Sequence, residues 1–111
     1  MTRKYNFELY KLKAEISKAF SDPKRLIIIA ELRNGEKTVT ELVDSMGISQ
    51  AAVSRQLSIL RSSGVVVPRR SGNNIFYRLS DTRVCEACDI VHEVLMERLA
   101  RNRELADIYL A

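Results

Sequence analysis

Three side chains with metal-binding or redox chemistry lie close together in the segment VCEACDIVHE. Cys85, Cys88 and His92 stand at i, i+3 and i+7, which places them along one side of a helix. Two thiolates and an imidazole suit a thiophilic ion such as zinc or copper(I), and Asp89 or Glu93 could add an oxygen ligand. The two thiols could instead cycle between dithiol and disulfide, because a helix N-terminus stabilises thiolates. A structural role with no cofactor stays open too, since free cysteine often packs as a small buried hydrophobe.

A second set of polar side chains belongs to a pair of short helices predicted between residues 38 and 64. Thr38 is the expected N-cap of the first helix, which covers Val39 to Met46 and stops at Gly47 in a left-handed conformation. Ser49 then caps a second helix that ends at Gly64. Two short helices joined by a tight turn are typical of a helix-turn-helix.

The second of these helices has two unlike faces. Val53, Leu57 and Leu60 recur at helical spacing and predict a buried stripe. The opposite face carries small or hydrogen-bonding side chains and one arginine: Ala51, Ser54, Arg55, Ser58 and Ser62. Such a face can approach the DNA major groove, where bulky side chains would hold the backbone away and acidic ones would be repelled. The alternative is an ordinary amphipathic hairpin with a solvated face.

The segment after Gly64 favours the DNA-binding alternative. Val65 to Val67 and Ile75 to Leu79 are strand-like runs separated by the turn formers RRSGNN, which predicts a β-hairpin. Its tip is expected to carry Arg69, Arg70, Asn73 and Asn74. A basic hairpin directly after a helix-turn-helix predicts a second DNA contact, a wing, rather than a merely solvated turn.

The remaining helices must supply the core. A first helix is predicted from Phe7 to Phe20. Asp22 and Pro23 then start a second helix whose stretch from Leu26 to Leu32 is apolar on nearly all sides, so we expect it to lie buried at the centre. A mostly α-helical fold with one small β-hairpin follows from this order of elements.

The last helix is predicted to begin at a cap on Ser80 or Asp81 and to run to about Tyr109. About 28 residues of helix span about 42 Å, which is more than a small core can cover. Its surplus apolar stripe, together with that of the first helix, predicts a homodimer.

The composition of the chain limits which classes of protein it can belong to. The 111 residues, 46% of them hydrophobic and 29% charged, fit one globular domain over 1–111. A net charge of +4 permits nucleic-acid binding without demanding it. No signal peptide and no bilayer-spanning apolar run is evident, so we expect a cytoplasmic protein with no membrane partner. One histidine, no glycine-rich phosphate loop and no nucleophile elbow argue against an enzyme.

The chain resembles the winged-helix repressors of the ArsR/SmtB family from about Ile16 to Asp81. The most specific matching segments are AFSDPKRLIII, SQAAVSRQLSIL, SSGVVVPRR and FYRLSD. The resemblance implies a homodimer, held by the first and last helices, that binds a palindromic double-stranded operator. The helix from Gln50 to Ser63 would read bases, and the wing would hold the backbone or the minor groove. The full predicted contact set is Ser49, Gln50, Ser54, Arg55, Gln56, Ser58, Arg69, Arg70, Asn73 and Asn74.

The sensing sites of the best-known family members are missing. Thr38 and Thr40 in EKTVTEL replace the cysteines of the arsenic and cadmium sensors. The zinc-sensor positions correspond to Asp81, Arg83, Val94 and Glu97, so two of the four have lost their ligand. Any switch is therefore expected at Cys85 and Cys88. An architectural or antitoxin-like DNA-binding protein with no effector is the alternative.

Overall fold

The computed structural model describes residues 4–110 and forms a mostly helical winged helix-turn-helix with a small antiparallel sheet, as predicted. None of the helices in this range is long and apolar enough to cross a membrane. In chain order the elements are α1 (Phe7–Ser17), a 3-10 turn (Lys18–Phe20), α2 (Pro23–Leu32), β1 (Lys37–Thr38), α3 (Val39–Met46), α4 (Gln50–Ser62), β2 (Val66–Ser71), β3 (Asn74–Leu79), α5 (Arg83–Arg101) and α6 (Arg103–Tyr109).

The caps of the helix-turn-helix are those that the sequence predicts. Thr38 Oγ1 accepts the backbone N–H of Glu41 at 3.2 Å, and the Glu41 carboxylate accepts the Thr38 N–H at 3.1 Å, which completes a capping box. Gly47 ends α3 with a φ of 67°. Ser49 Oγ caps α4 by accepting an N–H three residues further on at 3.1 Å. Local hydrogen bonds therefore set both ends of the turn between α3 and α4.

The hairpin is longer than predicted and its tip is smaller. Strands β2 and β3 are joined by a two-residue turn of Gly72, with a φ of 61°, and Asn73. Arg69 and Arg70 consequently lie within β2 and not at the tip, which corrects the prediction. The backbone pairing extends as far as Ser71 because glycine alone absorbs the positive φ that so short a turn requires. Strand β1 was not predicted, since two residues are too short to show a pattern; it pairs with β3.

The core is formed where α2, α3 and α4 meet the base of the hairpin. Its largest fully buried side chains are Ile28, Ile29, Leu42, Val53, Leu57, Leu60 and Val65. The stripe predicted on α4 is therefore confirmed. The predicted burial of α2 on all sides is wrong, because Leu26 and Ile27 remain 39% and 47% exposed. One chain supplies neighbours for only one side of α2.

The outer helices differ from their predicted lengths. The first α-helix stops at Ser17 and continues as the 3-10 turn, whose Ala19 is fully buried. The last helix is not continuous: it breaks at Asn102, whose side chain accepts the Leu105 N–H at 3.2 Å and caps α6. A polar side chain that bonds its own backbone competes with the helix interior, which explains the break.

The start of α5 also needs a correction. The N-cap position is Thr82, whose side chain makes no capping bond. The Asp81 carboxylate accepts the backbone N–H of Arg83 at 2.9 Å instead, so Asp81 does satisfy the helix start. The hydroxyl of Ser80 donates to the Gly64 carbonyl at 2.6 Å and joins α5 to the end of the helix-turn-helix.

Candidate nucleic-acid interface

The exposed face of α4 is the centre of the candidate interface. Gln50, Ser54, Arg55 and Ser58 are all exposed, and Ser49 is exposed at the cap. The buried stripe on the other side anchors the helix to the core, so these side chains project from a rigid element. The face has short hydroxyl side chains around one guanidinium, which suits close approach to base edges. Five of the predicted contact residues thus share one accessible surface.

Gln56 does not belong to that surface. Its side chain is only 7% exposed, and its Oε1 accepts a hydrogen bond from Arg25 Nη1 at 2.8 Å. Gln56 directly precedes Leu57 and follows Val53 by three positions, so it lies on the side of α4 that packs against the protein. We therefore remove Gln56 from the predicted DNA contacts.

Arg25 itself was missed by the sequence analysis. It lies in α2 within the segment AFSDPKRLIII, one residue before the apolar run. A single arginine in such a helix usually reaches solvent, and its partner Gln56 is 31 positions away in sequence. No local pattern connects the two residues, so only the tertiary structure could identify this contact.

The two wing arginines differ in their surroundings. Arg69 Nε donates to Glu36 Oε2 at 3.0 Å, a second bond joins Nη2 to Oε1, and the guanidinium lies 5.0 Å from the Phe76 ring centroid. This pairing lowers the pKa of the Glu36 carboxyl and raises the pKa of Arg69. Arg70, the next residue of β2, points to the other side of the hairpin and is exposed. Asn73 is exposed in the turn, and Asn74, the first residue of β3, is exposed beside it.

The predicted ligand set is not assembled within one chain. Cys85 is buried in the core, Cys88 is half-buried and His92 is exposed, although all three line a groove of about 530 Å³ between α2 and α5. Across residues 4–110, no group of three or more His, Cys, Asp or Glu side chains is arranged to hold a metal ion. The predicted oxygen ligand Asp89 is occupied by Arg33, through two hydrogen bonds of 2.7 Å each.

The surroundings of Cys88 affect the pKa of its thiol. Burial raises the pKa of Cys88, and the charges of Cys85 and Asp89 act in the same direction, while Arg33 opposes them. The expected stabilisation of a thiolate at the helix start is therefore outweighed at this position by desolvation.

Helices α1 and α5 leave many apolar side chains exposed. No residue of α1 is buried. The exposed apolar side chains of α1 and α5 are Phe7, Leu9, Tyr10, Leu12, Ile16, Ile90, Val91, Val94 and Leu95, each 45% to 72% exposed. Val94, a lost zinc-ligand position, belongs to this surface. Single exposed apolar residues are ordinary, but a row of them along two helices is typical of an interface.

Comparison with known proteins identifies the family. Residues 22–67 match the model of the bacterial regulatory proteins of the arsR family. The chain is 45% identical over 76 residues to the HTH-type transcriptional regulator NmtR of Mycobacterium tuberculosis, covering 68% of this chain and 63% of that relative. It is 37% identical over 81 residues to the biofilm growth-associated repressor of Xylella fastidiosa, covering 73% and 71%.

A solved structure agrees in fold. The solution NMR structure of a homodimeric winged helix-turn-helix DNA-binding domain from Mycobacterium bovis, a possible ArsR-family transcriptional regulator, superposes with a TM-score of 0.78. The two are 28% identical, and the match covers 89% of this chain and 92% of that one. The capped helix-turn-helix, the hairpin and the matched relatives together lead to one conclusion: the chain belongs to the ArsR family of winged helix-turn-helix transcriptional regulators.

Proposed function

We propose that this protein is a repressor that binds an inverted-repeat operator as a homodimer in the bacterial cytoplasm. The observation that carries the proposal is the exposed face of α4, which presents Gln50, Ser54, Arg55 and Ser58. The buried stripe on the opposite side anchors this helix to the core. In the complex, α4 lies in the major groove and the hairpin follows the phosphate backbone. The biofilm growth-associated repressor supports repression as the outcome of binding.

The dimer follows from the apolar surface of α1 and α5. Those two helices expose side chains that a second copy of the same chain can cover by two-fold symmetry. The homodimeric relative from Mycobacterium bovis supports this assembly. Two copies of α4 then meet successive major grooves about 34 Å apart, which requires an operator with two-fold symmetry.

The operator is found by selecting duplexes from a random pool with the wild-type protein and footprinting the selected sequence. We expect an inverted repeat, protection of both half-sites, and blocked transcription when the repeat overlaps a promoter. Arg55→Ala should weaken operator binding by about 1–3 kcal/mol and broaden the preference at the bases it contacts. Unchanged affinity and preference in that variant would place the reading face elsewhere.

The two wing arginines provide a second test of the interface. A lysine or arginine that contacts phosphate contributes about 0.9 to the slope of log affinity against log salt. Arg70→Ala should lower that slope and weaken binding to all duplexes about equally. Arg69→Ala should have the smaller effect, because Arg69 is already paired with Glu36. Larger loss from Arg69→Ala would show that the Glu36 pair orients Arg69 toward DNA.

Any effector is proposed to act at Cys85 and Cys88. Both thiols line the groove between α2 and α5 that borders the apolar surface of α5, so ligation or oxidation there would change how α5 meets a partner. Because one chain does not assemble three metal ligands, a bound ion would need ligands from the second copy. A disulfide would need only the two cysteines of one chain, with some strain at their spacing.

Measurements of operator affinity separate metal binding, a thiol switch and a structural role for the cysteines. The proteins are wild type, Cys85→Ser/Cys88→Ser and His92→Ala, each measured reduced, oxidised and with zinc or copper(I). A metal response lost in His92→Ala indicates ion binding, whereas an oxidant response independent of His92 indicates a thiol switch. Equal binding under every condition indicates structural cysteines. Binding that ignores sequence would favour the architectural alternative over a repressor.

A further inference from the structure

Arg25 makes three hydrogen bonds that join separate parts of the chain. Its Nε donates to the carbonyl of Lys18 at 3.0 Å, and its Nη2 donates to the hydroxyl of Ser21 at 3.0 Å. Its Nη1 donates to Oε1 of Gln56 at 2.8 Å. One guanidinium therefore ties the 3-10 turn, which follows α1, to the helix that carries the candidate DNA-reading face.

The location of these bonds matters more than their number. Lys18 begins the turn that connects α1 to α2, and α1 carries five of the nine exposed apolar side chains proposed to meet the partner. Gln56 is on the inner side of α4, two residues from the exposed Ser54 and one from Arg55. Within residues 4–110, the side-chain hydrogen bonds that link these two regions all come from the Arg25 guanidinium.

The buried amide of Gln56 requires a hydrogen-bond donor. It is one of two polar side chains buried in the described part of the chain, and it is polar among the apolar neighbours Val53, Leu57 and Leu60. A buried amide oxygen without a donor costs free energy, so the position of α4 is favoured only where Arg25 can reach it. The planar guanidinium of Arg25 donates its hydrogen bonds in fixed directions, so it restrains both the distance and the orientation of Gln56. A lysine ammonium has no such fixed geometry.

We propose that Arg25 and Gln56 are positioning residues that fix the orientation of α4 relative to the dimer interface, and hence the spacing of half-sites that the protein accepts. This inference rests on the proposed function. Neither residue touches DNA: Arg25 holds the turn after α1, Gln56 transfers that restraint to α4, and α4 presents Arg55 at a set distance from the two-fold axis.

The test compares half-site spacing among matched variants. The probes are the inverted repeat selected by wild type and the same duplex with one base pair added or removed at its centre. Arg25→Lys keeps the charge and removes the planar guanidinium. Gln56→Met keeps the size of the side chain and removes the acceptor, whereas Gln56→Glu keeps an acceptor oxygen. Lys24→Ala is the control, because it removes a neighbouring exposed cation.

We expect Arg25→Lys and Gln56→Met each to weaken binding to the selected repeat about tenfold, a usual size of coupling within one hydrogen-bond network. Both should also flatten the preference for the selected spacing, and the double variant should lose little more than either single variant. Gln56→Glu and Lys24→Ala should keep the wild-type preference. An unchanged spacing preference in Arg25→Lys and Gln56→Met, with equal loss on every duplex, would overturn the proposal.

A measurement without DNA separates this proposal from the repressor proposal. The free energies of chemical unfolding of the two single variants and the double variant should be non-additive if Arg25 and Gln56 act as one unit. Additive effects would overturn the positioning role even where wild type binds an inverted repeat. Non-additive effects in a protein that selects no inverted repeat would overturn the repressor proposal and, with it, the role in half-site spacing.

Discussion

Helices α4 and α5 both carry an apolar stripe at helical spacing, but they differ in what covers it. On α4 the stripe of Val53, Leu57 and Leu60 is at most 1% exposed. On α5 Val91 and Val94 are 64% and 59% exposed. The same amphipathic pattern thus forms a core on one helix and, on the other, an exposed stripe that the proposed homodimer would cover.

The difference has an energetic consequence. Burial of an apolar side chain contributes about 25 cal/mol per Å² of surface removed from water. On α4 that gain is realised when one chain folds, so the core of a single chain already holds the helix that carries the candidate DNA-reading face. On α5 the proposed homodimer would realise that gain only on association, and the stability of that region should then depend on protein concentration. Substitutions in the α4 stripe should therefore lower the stability of the single chain, whereas substitutions in the α5 stripe should weaken association.

The largest expected effect is loss of folding stability when the α4 stripe is cut back. Leu57→Ala should lower the free energy of unfolding by about 2–5 kcal/mol, because Leu57 is 1% exposed and its removal leaves a cavity. Chemical unfolding monitored by circular dichroism measures this change. Ser58→Ala, on the exposed side of the same helix, is the matched control and should change stability by less than about 0.5 kcal/mol. Equal losses in both would mean that the α4 stripe is not a core.

How far the sequence predicts this molecule depends on the range of the interactions. The caps at Thr38 and Ser49 and the stop at Gly47 involve partners within a few residues, and the structure confirms all three. The break at Asn102 was missed, although its side chain bonds are equally local, because asparagine within a long apolar pattern is also a tolerated surface residue. Local chemistry therefore predicts helix ends well only where glycine or a cap stands between two patterns.

The candidate site is predicted less completely than the helix ends. Helical periodicity correctly places Arg55 and Ser58 on the exposed face of α4, whereas the resemblance to the family put Gln56 there too. Gln56 lies on the packed side of α4, next to Leu57, and its amide oxygen accepts a hydrogen bond from Arg25, a residue of another helix. Likewise, the spacing of Cys85 and Cys88 predicts a shared side of a helix and leaves burial as one of three alternatives, whereas the structure shows Cys85 buried and Cys88 half-buried.

The second expected effect appears in association rather than folding. Val94→Asp should weaken the dimer by about 2–4 kcal/mol, because a carboxylate replaces an apolar contact in the proposed interface. Sedimentation should then shift from about 25 kDa, twice the 12.7 kDa chain, toward the single chain. Unfolding of the variant at low concentration should match wild type, since Val94 is 59% exposed in one chain. A dimer as stable as wild type would place the interface elsewhere.

The smallest effect concerns the first turn of each helix. Helix α4 is capped by Ser49, which does not titrate, whereas α5 begins at the Asp81 carboxylate. Hydrogen bonds from the side chain and backbone of Arg83 lower the pKa of Asp81 to about 2, from an ordinary value of 3.8. A carboxyl with a lowered folded-state pKa stabilises the fold above its unfolded-state pKa, and that contribution disappears as the pH falls through the folded-state value.

Acid should therefore loosen the start of α5 and leave the start of α4 unchanged. Between pH 4 and pH 2 we expect the hydrogen-exchange protection factor of the Arg83 amide, which donates to Asp81, to fall. The Ala52 amide, which donates to Ser49, should keep its protection. Asp81→Asn retains an acceptor oxygen and removes the titration, so its Arg83 protection should be independent of pH over this range. A fall of the same size in Asp81→Asn would assign the acid sensitivity to other carboxylates, because the substituted side chain cannot take up a proton there.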